Sequence, residues 1–326
     1  MKRAIIAMTA IALAFVSCEK DNSDDAPEAG DENIRYVKQI TYTQEFYSGG
    51  YSYSTTFDLQ YDGANRITSL QSNTPYQGSF DYSKIGTIAA HWDYLDSTGY
   101  QDSGDLDYSL NGNGMVVEVG AEGESFGFSY EGKYAKSLHY KYVRQDNGET
   151  VEYDAVKLER NSEGKLVYID QDGHQSNLSY KYNYKHPRIN LDLNWFIISA
   201  ATSGPLSVVW MGLCGRVADY LLETPYPVSN MKEYNVPHGL DHSTPSPYHF
   251  STVYSARGEV NEMYVSPDSD YPTSIIYLVN QEEFLYECDY EYKDGSWELV
   301  PGSVRETPTG NILGKDKVTI SIVYRD

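Results

Sequence analysis

From about Ile34 onward the chain alternates side-chain class one residue at a time, and this period of two limits what it can fold into. Between Tyr51 and Tyr61 the odd positions are Tyr51, Tyr53, Thr55, Phe57, Leu59 and Tyr61, while the even ones are Ser, Thr, Asp or Gln. Successive side chains of a strand point to opposite faces, so the pattern predicts a strand with one face buried. The separation recurs in Phe126-x-Phe128-x-Tyr130, in Leu178 to Tyr184, in Ile189 to Trp195, in Phe284 to Tyr292 and in Val318 to Tyr324. These predict half-buried antiparallel strands. Tyrosine carries much of the signal, with 32 Tyr against 9 Phe and 4 Trp. Tyrosine suits a face that is apolar in its body and hydrogen-bonding at its tip.

A looser repeat underlies the strands: an aromatic-x-Tyr anchor, a turn containing Gly or Asn, a charged residue, then an aliphatic strand. Turns fall at Asp62-Gly63-Ala64-Asn65, Asn111-Gly112-Asn113-Gly114 and Ser162-Glu163-Gly164. The anchors Tyr61, Tyr82, Tyr108, Tyr130, Leu158 and Tyr182 are spaced by a mean near 24 residues. Two strands of seven or eight residues and two short loops need about that length, so each repeat is one hairpin. The expected fold is all-β, antiparallel hairpin repeats forming a soluble barrel or a strongly curved sheet in one domain, 35–326.

Residues 195–248 break the pattern. Leu206, Val209, Trp210, Leu213, Val217, Tyr220 and Leu221 recur at helical spacing after Ser203-Gly204-Pro205, which predicts an inserted amphipathic helix over 205–222. Such a helix covers an apolar face or plugs an open end.

The N-terminus has Lys2-Arg3, an apolar run from Ala4 to Val16, and Ser17-Cys18. This is a secretory signal over 1–17, too short to span a bilayer. The Phe15-Val16-Ser17-Cys18 tetrad resembles a bacterial lipobox, which implies cleavage before Cys18 and lipid (palmitate) attachment there. The alternative is an ordinary signal peptide that contains a cysteine. Glu19 to Glu32 holds seven acids and one base and makes 18–34 an acidic tether. An acidic run after the lipidated cysteine resembles an export signal for the outer face of the outer membrane, with a periplasm-facing anchor as the alternative.

Asp plus Glu number 47 against 25 Lys plus Arg, a net charge of −22. Removing Lys2 and Arg3 with the signal makes it −24, of which −6 is the tether and −18 the β domain. This balance excludes a nucleic-acid partner, which needs clustered cations. With Cys18 lipidated, Cys214 and Cys288 remain, and two buried free thiols are expected over one long-range bridge.

Motifs with catalytic spelling fail on context. Gly123-Glu-Ser125-Phe-Gly127 matches a nucleophile elbow, but a strand and not a helix follows Ser125. His238 and His242 are four apart, but Pro237, Gly239, Pro245 and Pro247 rule out the helix that would aim both at one metal. Asp170-Gln-Asp172-Gly173 and the acids of 102–107 lack a full set of calcium ligands. Neither a metal nor another cofactor is expected. Trp92, Trp297, His238 and His242 stay as candidate ligand contacts, and Trp195 and Trp210 sit in apolar patterns that point to core packing.

The lipobox, the tether, the Tyr-rich hairpins and the step Leu191-Asp192-Leu193-Asn194-Trp195 together resemble a family of uncharacterised lipoproteins from Gram-negative anaerobes, described as a domain of unknown function with a porin-like fold. The resemblance spans most of 36–326. Tyr61 to Ile67 is also similar to the YD repeats of large secreted shell proteins, a likeness of hairpin chemistry. The expected function is a non-enzymatic binding or accessory module at the outer membrane and cell surface, for a glycan, peptide or envelope-protein partner. The alternatives are an envelope carbohydrate-active hydrolase and a structural accessory subunit of an outer-membrane complex.

Overall fold

A computed structural model describes residues 34–47, 52–95, 99–121, 124–144, 147–171, 174–195, 212–223, 247–266, 268 and 270–326. Residues 1–33, which hold the expected signal, Cys18 and all of the expected tether but Ile34, lie outside these. The strands are β1 (Val37–Glu45), β2 (Ser52–Tyr61), β3 (Ile67–Ser72), β4 (Tyr76–Asp81), β5 (Thr87–Leu95), β6 (Gln101–Leu110), β7 (Val116–Ala121) and β8 (Glu124–Glu131). They continue as β9 (Tyr134–Val143), β10 (Thr150–Arg160), β11 (Leu166–Gln171), β12 (His174–Asn177), β13 (Tyr248–Ser266), β14 (Ser274–Lys293), β15 (Ser296–Leu299) and β16 (Arg305–Tyr324). All belong to one 16-stranded antiparallel sheet in which β1 to β12 follow one another, and β1 also pairs β16, then β14, then β13. The all-β expectation holds, but the sheet is open and not a barrel. β1 and β16 meet in its interior, so the hairpins run outward from them in both directions and end on two separate edges, β12 and β13.

The hairpin repeat is real, and its true period is double the spacing of the anchors. Asp62, Asn111 and Asn161, 49 and 50 residues apart, each accept on Oδ1 the amides two and four residues on. Each turn also closes with an amide-to-carbonyl bond back to that residue from Asn65, Gly114 or Gly164. Those three have φ of 62°, 76° and 75°, the left-handed region that Gly and Asn tolerate. A bulge precedes each turn, at Gln60/Tyr61, Ser109/Leu110 and Glu159/Arg160. This is a type I turn with a following left-handed residue, which bends the hairpin and fixes its register.

A tyrosine locks the far strand of each unit. Tyr82 donates to the Ile67 carbonyl at 2.8 Å, Tyr180 to that of Leu166 at 2.9 Å, and Tyr130 to that of Val116. Ile67, Val116 and Leu166 open β3, β7 and β11 and are all buried. Burial pushes the Tyr82 hydroxyl up to about 12 and raises those of Tyr130 and Tyr180, so all three stay protonated donors. Tyr108 differs: its hydroxyl is buried with no hydrogen-bond partner among the described residues. Tyr130→Phe is therefore expected to cost about 1 kcal/mol and Tyr108→Phe to be neutral or stabilising, read from denaturant midpoints.

The apolar face of the sheet gathers Ile40, Leu59, Ile88, Tyr108, Phe128 and Leu158 into one core. Residues 178–195 and 212–223 lie against it. Of the segments predicted as strands, Ile189 to Trp195 makes only the single bridge of Ile189 with Arg35, and Leu178 to Tyr184 makes none, the adjoining Lys185 bridging Tyr220. Their alternation is that of extended chain laid on a sheet, whose amides find partners other than a ladder. The amides of Lys181, Tyr182 and Asn183, for instance, all donate to the Glu223 carboxylate at 2.7, 2.8 and 3.1 Å. The predicted helix over 205–222 is not formed over 214–223, where Arg216 and Tyr220 make single bridges and Gly215 has φ 70°. A Cβ on Gly215 would come within 2.7 Å of the Tyr130 ring, so the chain passes this point only as glycine. Residues 201–211 lie outside the described residues.

The Leu191-Asp192-Leu193-Asn194-Trp195 step is a buried clasp. Asp192 accepts the amides of Asn194 at 2.9 Å and Val217 at 2.7 Å. The Asn194 side chain donates to the Tyr220 carbonyl and accepts the Leu222 amide, and Trp195 Nε1 donates to the Gly215 carbonyl. Leu191, Leu193 and Trp195 are at most 1 % exposed. The polar side chains of the step thus saturate backbone groups of 215–222 while its apolar ones fill the core.

β1 pairs β16 only over Lys317 to Tyr324. Farther along, β13, β14 and β16 continue as a ribbon with its own cluster of Tyr286, Cys288 and Tyr290 against Tyr248, Phe250, Trp297 and Val304. Cys214 is buried in the main core and Cys288 in this second one, and both are free thiols as expected.

Candidate functional site

On the core side of the sheet, the strand ends away from the Asx turns carry aromatic residues instead of the aliphatic core. Trp92 on β5 stands in register with Gly78 on β4 and Gly104 on β6. The indole lies against Gly104 so closely that a Cβ there would meet its Nε1 at 2.7 Å. Beside it Tyr76 and Tyr94 have ring centroids 4.7 Å apart, and Tyr94 and Tyr100 6.0 Å. Across β6 and β7 a second set follows, Phe126 with Tyr140 at 4.9 Å, and Tyr140 with Tyr142 at 5.5 Å and Tyr153 at 5.8 Å. Tyr100 is 59 % and Tyr153 45 % exposed, and Trp92 and Tyr140 are half-buried. Burial, and then its hydrogen bond to Glu124, raises the Tyr140 hydroxyl above its ordinary value. Partly exposed rings flanking a glycine floor, with hydroxyls at their tips, can stack on flat apolar faces and hydrogen-bond at the edges.

The opposite face is polar. A groove of about 740 Å³ crosses β5 to β9, lined by Asp105, Asp107, Glu118, Ser125 and Lys141 and, at its β5–β6 end, by Trp92 and Gly104 of the aromatic row. Histidine–carboxylate pairs cross the strands on this face at repeat-equivalent places. His91 Nδ1 is 2.7 Å from Asp105, and His139 Nδ1, 48 residues on, is 2.5 Å from Asp154. His249 makes a third pair with Asp289 at 2.9 Å. The Asp105 and Asp289 hydrogen bonds raise His91 and His249 above the usual imidazole value. Among the described residues no three His, Cys, Asp or Glu side chains converge to hold a metal ion.

Of the candidates expected from sequence, Trp92 belongs to the aromatic row. Trp297 stands on β15 between Tyr248 and Tyr292, at 6.0 and 5.5 Å, in the second cluster. The two tryptophans sit on strands far apart in the sheet order and do not form one site. His238, His242 and Cys18 lie outside the described residues. Ser125 lies within β8 with its neighbours in the ladder, not on an elbow. The tyrosines around Trp92 are the residues that single-position reasoning missed, although their alternation with polar residues was the signal for them. No family model matches this chain, and no curated protein does.

Proposed function

We propose that the protein is a surface-tethered binding module, anchored in the outer membrane through a lipid on Cys18, whose ligand lies along the aromatic row at Trp92. The observation that carries this reading is the row itself: rings stay half-exposed where the same face elsewhere is buried under residues 178–195 and 212–223. A neutral glycan suits the row best, because its ring faces stack on aromatics and its hydroxyls meet tyrosine tips and nearby carboxylates. An anionic ligand would meet a chain of charge −22. Peptides and envelope proteins are the other partner classes. Trp92→Ala is expected to weaken binding to a panel of neutral soluble polysaccharides by about tenfold, a stacking contribution of about 1.5 kcal/mol. Calorimetry in which Trp92→Ala binds as tightly as the parent, or in which the parent binds none of them, would remove the glycan reading. Cys18→Ala should abolish the lipid mass increment and release the chain from the membrane fraction.

One observation favours a second reading, a carbohydrate hydrolase: the outer groove gathers Asp105, Asp107 and Glu118. The Asp105 side chain is 87 % exposed and bound to His91, a solvated arrangement unlike the sheltered general acid such chemistry needs. Release of reducing ends in the same assays, lost in Asp107→Asn, would move the assignment to this reading.

A further inference from the structure

On the outer face of β8, β9 and β10 two rows of side chains lie side by side. Strand register sets Ser129, Ser137 and Lys157 in one row and Gly127, His139 and Asp154 in the next. Ser137 Oγ lies 3.1 Å from His139 Nε2 and 2.5 Å from Ser129 Oγ, and His139 Nδ1 lies 2.5 Å from Asp154. Asp154 also holds Lys157 Nζ at 3.1 Å. The Lys157 hydrogen bond, foremost, keeps the Asp154 carboxyl below its usual value, so it is ionised and only accepts. The Nδ1 nitrogen of His139 therefore carries the hydrogen, and in the neutral ring Nε2 has a free lone pair facing the Ser137 hydroxyl. A serine held to an imidazole that a carboxylate orients is the arrangement of an activated nucleophile.

We propose that Ser137 is a nucleophile toward activated acyl esters, with His139 as its general base, Asp154 as the residue positioning His139, and the Lys157 ammonium beside the developing oxyanion. Ser137 Oγ bonds to the ester carbonyl carbon as its proton passes to His139 Nε2. The bond from that carbon to the leaving oxygen then breaks, and the leaving group departs with the proton from His139. Water hydrolyses the acyl-serine by the same route, releasing the carboxylic acid and restoring the hydroxyl. The acyl group lies over Gly127, whose bare backbone adjoins His139 and leaves room. The strand amides around Ser137 are spent in the ladder, so a single ammonium replaces the usual pair of amide donors. That restricts the substrates to esters with good leaving groups, such as aryl esters.

The preceding repeat provides an internal control. His91 and Asp105 reproduce the pair, but Ala89 stands where Ser137 does and Asp107 where Lys157 does. In the full lipid-bearing chain in detergent, a fluorophosphonate probe should place its mass on Ser137, as read by intact mass and peptide mapping. Ser137→Ala should abolish that label, and His139→Gln should slow it at least about 100-fold. Asp154→Asn should slow it comparably while Asp154→Glu restores it, and His91→Ala should leave it unchanged. Far-UV circular dichroism establishes that each variant is folded, and His139→Gln decides the matter if Ser137→Ala is not. Label spread over other hydroxyls, no label at all, or an unchanged rate in folded His139→Gln would overturn the proposal.

Discussion

Asp192→Ala is expected to cost about 3–5 kcal/mol of stability, since removing one member of a buried charged set strands the others. The carboxylate is 6 % exposed and bonds two backbone amides, and His186 Nε2 is 3.3 Å away. Arg216 Nη2 lies 2.9 Å from His186 Nδ1, which also faces the Pro187 carbonyl at 2.9 Å. Burial alone would raise the carboxyl, but His186, Arg216 and the Val217 amide outweigh it and hold the group below its ordinary value. The sign of the pH dependence follows. A carboxyl lowered in the folded state adds stability above its unfolded value of about 3.9, and that contribution fades as pH falls through the folded value. The parent should therefore lose stability steeply below about pH 4, and Asp192→Ala should flatten that limb. Urea midpoints taken across this range compare the two slopes, and equal slopes would exclude Asp192 as the source.

Trp195→Ala is expected to destabilise by a similar amount, about 3–5 kcal/mol, through the cavity left by a fully buried indole. Its ring meets Phe128 edge-on at 6.2 Å, and its Nε1 satisfies the Gly215 carbonyl, which the substitution orphans. Trp92→Ala gives the opposite profile: a ring half-exposed over a glycine costs little stability on loss while binding falls. Thermal melts beside the calorimetric titrations separate the two tryptophans, and a Trp195→Ala protein that melts with the parent would show that the clasp does not hold the insert down.

The strands were legible because period two is a local property, and β2, β8, β14 and β16 lie where alternation placed them. Leu178 to Tyr184 shows the limit of that signal. Alternation reports one buried face, and extended chain lying on a sheet has one just as a strand does. Over 214–221 the helical spacing misled for a related reason, since Val217 and Leu221 are buried where Asp192 and Tyr184 hold their amides and not by one helical stripe. The 24-residue anchor spacing was legible, but its doubling was not. Asn161 and Asp62 act alike through Oδ1, and that equivalence appears only once their amide partners are seen. The site divides in the same way. Trp92 stood out by residue type, while the row around it, and the meeting of Ser137, His139 and Asp154, depend on the pairing of β8, β9 and β10, which no spacing along the chain reports.

The placement of β16 bears on how the molecule is made. It pairs β14 over Arg305 to Ser321 and β1 over Lys317 to Tyr324, so the first strand and β14 have no direct partnership until the last strand slides in. A chain emerging from the ribosome or through a translocon N-terminus first must hold β1 with one bare edge for almost its entire length. An unpaired edge is a template for another chain. β1 reads Val-Lys-Gln-Ile-Thr-Tyr-Thr-Gln-Glu, with few charges on it to discourage such pairing. The interval between exit of the first and last strands is thus the period of greatest exposure to misassembly, and a holding chaperone would act there, releasing the chain when Lys317 to Tyr324 arrives.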